Sequence, residues 1–236
     1  IRRCHGDLHL GNLCLWQGRP TPFDALEFDE ALARIDTGYD LAFLLMDLDQ
    51  QAGRAAANRV LNRYLARSGD YGLLGLLPLW LALRALVRAH VQAARGRDGA
   101  SLLQAAMAYL APAPARLIAV GGLQGTGKST LARGLAPTLG AAPGAVLLRS
   151  DEFRKRRFGL VPEAPLPPEA YAEDVSHTIH EELFMNAEAV LRQGHCVALD
   201  AVFLDPAHRR AAAAIAARVG VPFQGFWLEA PMEILK

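Results

Sequence analysis

The chain has 236 residues, of which 52% are hydrophobic and 21% charged, and its formal net charge is +1. This composition is typical of a globular protein, and so small a net charge argues against nucleic acid or an anionic membrane as the partner. The 3 cysteines are widely spaced, which predicts neither a disulfide scaffold nor a zinc knuckle and fits a reducing cytoplasm. The longest apolar stretch is interrupted by Pro78 and is shorter than the roughly 20 residues that span a bilayer.

The first half of the chain predicts strand and loop followed by helices. Residues 1–28 form short apolar runs with a turn at Trp16–Pro20, which predicts a hairpin. Residues 40–110 are rich in alanine and leucine at helical spacing, which predicts about three helices. Ala111-Pro112-Ala113-Pro114-Ala115 disfavours both helix and strand pairing. We therefore predict two domains, residues 1–111 and 112–236.

The second half alternates between strand and helix patterns. Strands are predicted at residues 116–120, 145–148, 196–199 and 222–228, and helices from Ser129, over 173–192 and from Pro206 to Gly220. This alternation predicts an α/β fold with a parallel sheet flanked by helices. Together with the phosphate-binding motif at residues 122–129, it predicts a P-loop NTPase domain.

Both ends of the sequence indicate a piece of a longer protein. The chain begins with Ile1, and a motif of catalytic appearance follows within a dozen residues. Near the other end, Pro231 follows Ala230 where a new helix is predicted to begin.

The clearest motif is Gly122-Leu-Gln-Gly-Thr-Gly-Lys128-Ser129, which matches G-x-x-x-x-G-K-S/T in full between a predicted strand and a predicted helix. In such a loop the backbone N–H groups face the phosphates of ATP, the lysine reaches the β- and γ-phosphates, and the serine binds Mg²⁺. The predicted nucleotide-binding residues are Gly122, Gly125, Thr126, Gly127, Lys128, Ser129 and Thr130.

Three further side chains complete the predicted site. Asp151 and Arg154 follow the second strand one helical turn apart, a spacing that suits a catalytic base and a group that holds an anionic part of the acceptor. Asp200 ends the third strand, where P-loop folds carry a carboxylate for Mg²⁺. The simpler alternatives are that both aspartates cap or turn the chain and that Arg154 is solvated.

Other polar features are weaker. The basic run Arg154–Arg157 is interpreted as a mobile segment over an anionic pocket or as solvated surface. His177 and His180 have a spacing that can bind metal, but no third ligand is evident. Arg209 and Arg210 are interpreted as helix surface.

The stretch from Ile118 to Ala230 resembles the P-loop kinases that include polynucleotide kinases, zeta-type toxins, gluconate kinases and chloramphenicol phosphotransferases. The phosphate loop, Asp151-x-x-Arg154 and Leu199-Asp200-Ala201 carry this resemblance. It implies ATP as the donor and Asp151 as the base toward the acceptor. The arginine-bearing lid of such kinases would follow the fourth strand, where this sequence stops.

A second motif lies in the first half. His5-Gly6-Asp7 is followed by Asn12 and, beyond the predicted hairpin, by Asp24. In kinase catalytic loops the first Asp accepts the proton of the substrate hydroxyl, and the Asn and the later Asp bind Mg²⁺. The region resembles the C-terminal lobe of aminoglycoside phosphotransferases and choline kinases, also through Asp36-Thr-Gly-Tyr-Asp40.

That resemblance implies Asp7 as a catalytic base, with Asn12 and Asp24 as Mg²⁺ ligands and Glu27 as a rival ligand. It implies structural roles for Asp36 and Asp40. The N-terminal lobe that would clamp ATP is absent, so we expect this first site to be incomplete. The domain is then a mostly helical protein-kinase-like C-lobe fragment.

The sequence therefore predicts part of a bacterial protein in which a phosphotransferase-like domain is fused to a P-loop AAA-type ATPase or kinase domain. We expect the P-loop domain to transfer the γ-phosphate of ATP to a hydroxyl of a small molecule. The alternatives are a nucleotide-dependent ATPase switch, a polynucleotide 5′-hydroxyl kinase and a non-catalytic binding module.

Overall fold

The computed structural model describes residues 1–231 and 233. The chain divides into two compact units, one of Ile1–Val60 with Gly72–Pro112 and the other of Leu61–Tyr71 with Ala113–Lys236. The predicted domains change at residue 112, and the compact units also change after Pro112. The two divisions differ at residues 61–71, which the prediction assigns to the first domain and which fold with the second unit.

The first unit contains two small antiparallel sheets and a set of helices. Strands β1 (Arg2–Arg3) and β4 (Arg34–Ile35) pair with each other, as do β2 (Leu13–Trp16) and β3 (Arg19–Pro22), which form the predicted hairpin. The helices are α1 (Glu30–Ala33), α2 (Thr37–Ala52), the start of α3 (Arg54–Ser68), α4 (Leu77–Ala94) and α5 (Ala100–Leu110). Short 3₁₀ turns cover Leu10–Asn12 and Tyr71–Gly75.

The helical region has one more helix than the sequence predicts. Gly53 has φ 85°, a conformation that costs a side chain energy but suits glycine, and it separates α2 from α3 in an otherwise continuous helical pattern. Helix α2 packs closely on α4 where Gly38 meets Trp80. A Cβ added at Gly38 would lie only 2.2 Å from a ring carbon of Trp80. Glycine at this position lets the aromatic ring lie directly against the backbone.

The second unit is an α/β fold with a parallel four-stranded sheet in the order β6-β7-β5-β8. The strands are β5 (Leu117–Gly122), β6 (Val146–Arg149), β7 (Val197–Asp200) and β8 (Phe223–Leu228). The helices are α6 (Lys128–Leu135), α7 (Ser150–Arg157), α8 (Glu173–Arg192) and α9 (Pro206–Val219), with 3₁₀ turns at Ala136–Thr138 and Pro168–Tyr171. The predicted fold class is confirmed.

Strands β5, β6 and β7 are buried and mostly hydrophobic because helices pack on them, whereas the edge strand β8 is largely exposed. All six residues of β5 are buried, as expected for a central parallel strand. On one face, Ile118 and Val120 pack with Ala132 of α6 and with Leu147 and Ala198 of the neighbouring strands. On the other face, α8 contacts β6 and β7. The phosphate loop between β5 and α6 is therefore fixed at both of its ends.

Residues 61–71 support the edge of this sheet. The Asn62 side chain accepts a hydrogen bond from the backbone N–H of Leu147 at 2.7 Å and donates one to the carbonyl of Ala145 at 3.2 Å. It thereby pairs with edge strand β6 in the way a further strand would. Tyr71 also stacks on Phe153 of α7 with ring centroids 6.2 Å apart.

The helix predicted to begin near Pro231 falls mostly on residues outside the described part of the chain. Among the residues that the structure describes, no helix is both long enough and apolar enough to cross a membrane.

We predict that Asn62→Ala lowers the free energy of unfolding of the second unit by about 1–3 kcal/mol, since it removes two hydrogen bonds to partly buried backbone groups. Chemical denaturation of the chain measures this. The matched control is Asn186→Ala, which removes an amide that donates only to Glu182 of its own helix. Equal effects of the two changes would contradict the role of Asn62 at the sheet edge.

Candidate nucleotide-binding site

The phosphate loop has the backbone conformation that its sequence predicts. Gly122, Gly125 and Gly127 have φ of 139°, 86° and 87°, values that favour glycine, and a Cβ at Gly122 would lie 2.4 Å from the carbonyl oxygen of Leu228. Gly127 precedes the first residue of α6. The positive N-terminal end of that helix is therefore available to an anion.

Lys128 is folded back onto the loop that it follows. Its Nζ donates a hydrogen bond of 2.5 Å to the carbonyl oxygen of Leu123, and Thr126 donates to the same oxygen at 2.8 Å. Burial lowers the pKa of Lys128, and the negative charge of Asp200 opposes that change. A phosphate would exchange this neutral acceptor for an anionic one, which is the stronger kind of hydrogen bond.

Ser129, Asp200 and Arg149 form one hydrogen-bonded cluster at the carboxyl ends of the strands. Ser129 Oγ donates to Asp200 Oδ2 at 2.6 Å, and Arg149 Nε donates to the same oxygen at 2.9 Å. Arg149 Nη2 donates to Ser129 Oγ at 3.0 Å and Nη1 donates to Glu152 at 2.9 Å. Burial alone would lower the pKa of Arg149, but the bonds to Asp200 and Glu152 outweigh it and raise that pKa.

The register of the sheet assembles this cluster. Asp200 lies opposite Val120 of β5 on one side and opposite Arg149 of β6 on the other. In a parallel sheet all strands end at one edge, where ligands bind. Residues far apart in the sequence therefore meet beside the phosphate loop.

A cavity of about 600 Å³ lies at this edge. Its walls include Lys128, Ser129 and Asp200 on the side of the phosphate loop, and Asp151 and Arg154 on the opposite side. The structure thus brings together the five side chains that the sequence predicts for catalysis and metal binding in this half.

Asp151 lies in the first turn of α7 and caps no helix by its side chain. Its Oδ2 is 3.0 Å from Lys155 Nζ, and the carboxylate remains 39% exposed. Asp151 therefore does not act as the helix cap that was its simpler alternative role. Its carboxylate lines a cavity large enough for a substrate.

Arg154 differs from the expectation of a solvated or mobile side chain. It is only 8% exposed, and its guanidinium donates to the Ala170 carbonyl at 2.5 Å and to Ser176 Oγ at 3.0 Å. The basic run lies in a helix, where Lys155 and Arg157 also have acidic partners, Asp151 and Glu182. Arg154 therefore holds the wall of the cavity, and part of its donor capacity is already used.

His180 lies in the same wall and is a residue that the sequence did not single out for this site. Its Nδ1 donates to the Ser176 carbonyl at 2.8 Å, and its ring stacks on His208 with centroids 3.9 Å apart. Burial lowers the pKa of His180, helped by the nearby charges of His208 and Arg154. Arg149 was missed as well, because its role depends on β6 and β7 being neighbours.

The donor set at Ser129 and Asp200 fits a hard cation such as Mg²⁺. Both contribute oxygen atoms, and Mg²⁺ typically takes one or two protein oxygens and completes its shell with water and substrate phosphates. Within residues 1–231 and 233, no group of three or more His, Cys, Asp or Glu side chains could hold a metal by itself. This also leaves His177 and His180 without a third ligand.

The backbone around Gly6 in the motif of the first unit is held by side-chain hydrogen bonds. The carboxylate of Asp40 accepts hydrogen bonds from the backbone N–H groups of His5 and Gly6 at 3.0 and 2.9 Å, and Arg84 donates to the Gly6 carbonyl. Asp36 caps α2 through the N–H of Gly38. Both aspartates therefore hold the local backbone through hydrogen bonds.

Asn12 and Asp7 are in direct contact, with Asn12 Nδ2 3.1 Å from Asp7 Oδ2. Asp24 is exposed with φ 60°, and the neighbouring Phe23 pairs its N–H with the carbonyl of Asn12. The three residues predicted as a base and metal ligands therefore lie on adjoining segments. Their catalytic roles remain predictions.

A family model described as an AAA domain matches residues 117–236, which is over half of the 236 residues. This chain belongs to that AAA domain family. The matched residues contain the phosphate loop and the whole cluster around Asp200, so the second unit is a nucleotide-binding, kinase-like P-loop domain.

The chain is also similar to longer proteins. It is 33% identical over 243 residues to an uncharacterized protein of Mycobacterium tuberculosis, with 98% of this chain and 48% of the relative covered. An uncharacterized protein of Mycobacterium bovis matches to the same extent. The chain thus spans about half the length of the curated relatives it matches.

Two solved structures are similar to part of the chain. A candidate kinase from Chloroflexus aurantiacus is 23% identical with a TM-score of 0.42, and the match covers 52% of this chain and 62% of the kinase chain. A chain of the Pnkp1/Rnl/Hen1 complex is 21% identical with a TM-score of 0.41, and the match covers 53% of this chain and 39% of that chain.

We predict that the second unit loses stability as the pH falls below about 6.5, because His180 has a lower pKa in the folded chain than in the unfolded chain. The unfolded chain then binds the proton more tightly, and its uptake favours unfolding. Chemical denaturation at pH 7.5 and at pH 5.5 should show that the free energy of unfolding falls less between these pH values in His180→Gln than in the original chain. The control is His177→Gln, which changes an exposed histidine. If both variants lose equally less unfolding free energy between the two pH values, the assignment to His180 is contradicted.

Proposed function

We propose that the second unit is an ATP-dependent phosphotransferase that moves the γ-phosphate of ATP to a hydroxyl of a small-molecule acceptor. The observation that carries this proposal is that Asp151 shares one cavity with Lys128 and Ser129. Phosphoryl transfer to a hydroxyl needs a group that takes up its proton, and Asp151 and Arg154 together line the wall opposite the phosphate loop, whereas a pure nucleotide switch needs no arginine on that side.

In the proposed reaction the acceptor oxygen attacks the γ-phosphorus, the bond from that phosphorus to the bridging oxygen of ADP breaks, and the hydroxyl proton moves to Asp151. The loop N–H groups and Lys128 hold the β- and γ-phosphates during this step. Ser129 and Asp200 would hold Mg²⁺, which when bound neutralises charge between those phosphates.

The acceptor side of the cavity supports a small acceptor. Arg154 is joined there by Tyr171, Ser176 and His180, so the wall combines hydroxyl, imidazole and aromatic groups. We infer that Arg154 acts mainly by fixing Ala170 and Ser176, with the rest of its guanidinium open to the acceptor. This mixture suits an acceptor bound by hydrogen bonds rather than a polyanionic strand, whose binding would fall steeply with salt.

We predict that Lys128→Ala weakens binding of ATP by about 10- to 100-fold, the effect of losing hydrogen bonds to a charged group worth roughly 1.5–3 kcal/mol. Equilibrium titration with a fluorescent ATP analogue in Mg²⁺ measures this on the 236-residue chain. Arg133→Ala removes an exposed cation from the same helix and should bind as the original chain does. Unchanged binding in Lys128→Ala would contradict the assignment of the phosphate loop.

We predict that Asp151→Asn keeps ATP binding but lowers phosphoryl transfer by about 10²- to 10⁴-fold, the usual contribution of a general base. Release of ADP is followed with and without a panel of hydroxylated metabolites, and the exposed Asp174→Asn serves as the control. Turnover that never responds to an acceptor and survives in Asp151→Asn would support the ATPase switch instead. Turnover that does respond identifies the class of acceptor.

A further inference from the structure

Arg149 occupies a position that a metal ion would compete for. Its Nε and Nη2 bind Asp200 Oδ2 and Ser129 Oγ, the two oxygens that suit Mg²⁺. The contacts are 2.9 and 3.0 Å, so the guanidinium makes full hydrogen bonds to both ligands.

Charge explains why a cation lies there. Asp200 is 5% exposed, and a buried carboxylate without a counter-charge is strongly unfavourable. In the described part of the chain, the ion pair that Asp200 makes is the one with Arg149. Lys128, a second cation near Asp200, instead binds the carbonyl of Leu123.

The hydroxyl of Ser129 is one of the oxygens for which Arg149 and a metal would compete. Its Oγ gives its hydrogen to Asp200 and accepts a hydrogen from Arg149. A hydroxyl oxygen has two lone pairs, so Arg149 uses one of them, and Mg²⁺ would have to use the other at about 2.0–2.1 Å, directly beside the guanidinium. Two cations sharing the same pair of oxygens would also repel each other.

We propose that Arg149 is the resident cation of the Mg²⁺ position, so that it neutralises Asp200 when no metal is bound and must leave Ser129 before Mg²⁺ can bind there. The proposal rests on the proposed function, because it takes Ser129 and Asp200 as the metal ligands. In this proposal Arg149 and Mg²⁺ compete for the same oxygens of Ser129 and Asp200.

The surroundings give the displaced side chain a place to remain. Arg149 Nη1 already donates to Glu152 on α7 at 2.9 Å, and this bond does not involve the metal ligands. The side chain also lines the cavity of the phosphate loop. Arg149 can therefore release Nε and Nη2 while Glu152 continues to hold its other end.

The test measures how much Mg²⁺ the chain needs to bind nucleotide. A fixed concentration of fluorescent mant-ADP is titrated with Mg²⁺ for the original chain and for Arg149→Met, which keeps the length of the side chain without its charge. We expect the Mg²⁺ concentration for half-maximal binding to fall at least about fivefold, the lower end of typical coupling between two ligands. Arg192→Met removes an exposed arginine from α8 and should leave that concentration unchanged.

Thermal unfolding supplies a second readout. Without Mg²⁺, Arg149→Met should melt at a lower temperature than the original chain, because the buried Asp200 has lost the cation that neutralises it. Adding Mg²⁺ and ADP should raise the melting temperature of Arg149→Met by more than that of the original chain. A role of Arg149 in folding alone would leave the two increments equal.

The outcomes separate the two proposals. If both chains bind mant-ADP and Arg149→Met needs as much Mg²⁺ or more, only the proposal for Arg149 is overturned. If the original chain binds no mant-ADP at any Mg²⁺ concentration, the proposed function fails and the role of Arg149 fails with it.

A second variant covers the case in which Arg149→Met does not fold. Arg149→Lys keeps the positive charge but has one nitrogen in place of the fork that reaches two oxygens at once. We expect it to need a few-fold less Mg²⁺ than the original chain, within the usual range of such coupling. An equal or greater requirement would overturn the proposal.

Discussion

The second unit depends on one buried carboxylate. Asp200 lies at the end of a strand that has neighbours on both sides, and it needs partners there because a buried charge is tolerated only when it is paired and hydrogen-bonded. Ser129 comes from the helix after β5, and Arg149 from the end of β6. The requirement to satisfy Asp200 therefore ties three strand ends together and fixes the start of the helix that would face the phosphates.

The two sides of the cavity are built in different ways. The phosphate side is mainly backbone, where glycines with positive φ allow the loop to curl. The acceptor side is made of side chains that support one another, since Arg154 holds Ala170 and Ser176 and the carbonyl of Ser176 holds His180. A backbone loop with a known motif specifies a phosphate as its ligand, whereas a wall of side chains that hold one another does not specify one class of substrate, so the donor can be inferred more readily than the acceptor.

The compact units do not follow a single break in the sequence. The compact units change after Pro112, within the proline-rich linker, yet residues 61–71 fold with the later part. The reason is the exposed edge of the sheet, whose unpaired N–H and C=O groups need partners. Asn62 supplies both kinds of hydrogen bond from one amide side chain. Sequence composition marks linkers, but it does not show which helix covers a sheet edge.

The sequence by itself determined the local features. The phosphate loop, the four strands and the helices α6, α8 and α9 follow from short-range patterns, and Asp151 and Asp200 were singled out because they end or follow strands. Helix α7 was not among the predicted helices, because its run of charged residues shows no apolar periodicity. Tertiary structure decided the order β6-β7-β5-β8, and with it that Arg149 lies beside Asp200. It also decided that Arg154 is buried and that His180 stacks on His208. Periodicity and motifs report on neighbours along the chain, whereas these contacts depend on which strands and helices pack side by side, and that choice is made by the packing of the whole unit.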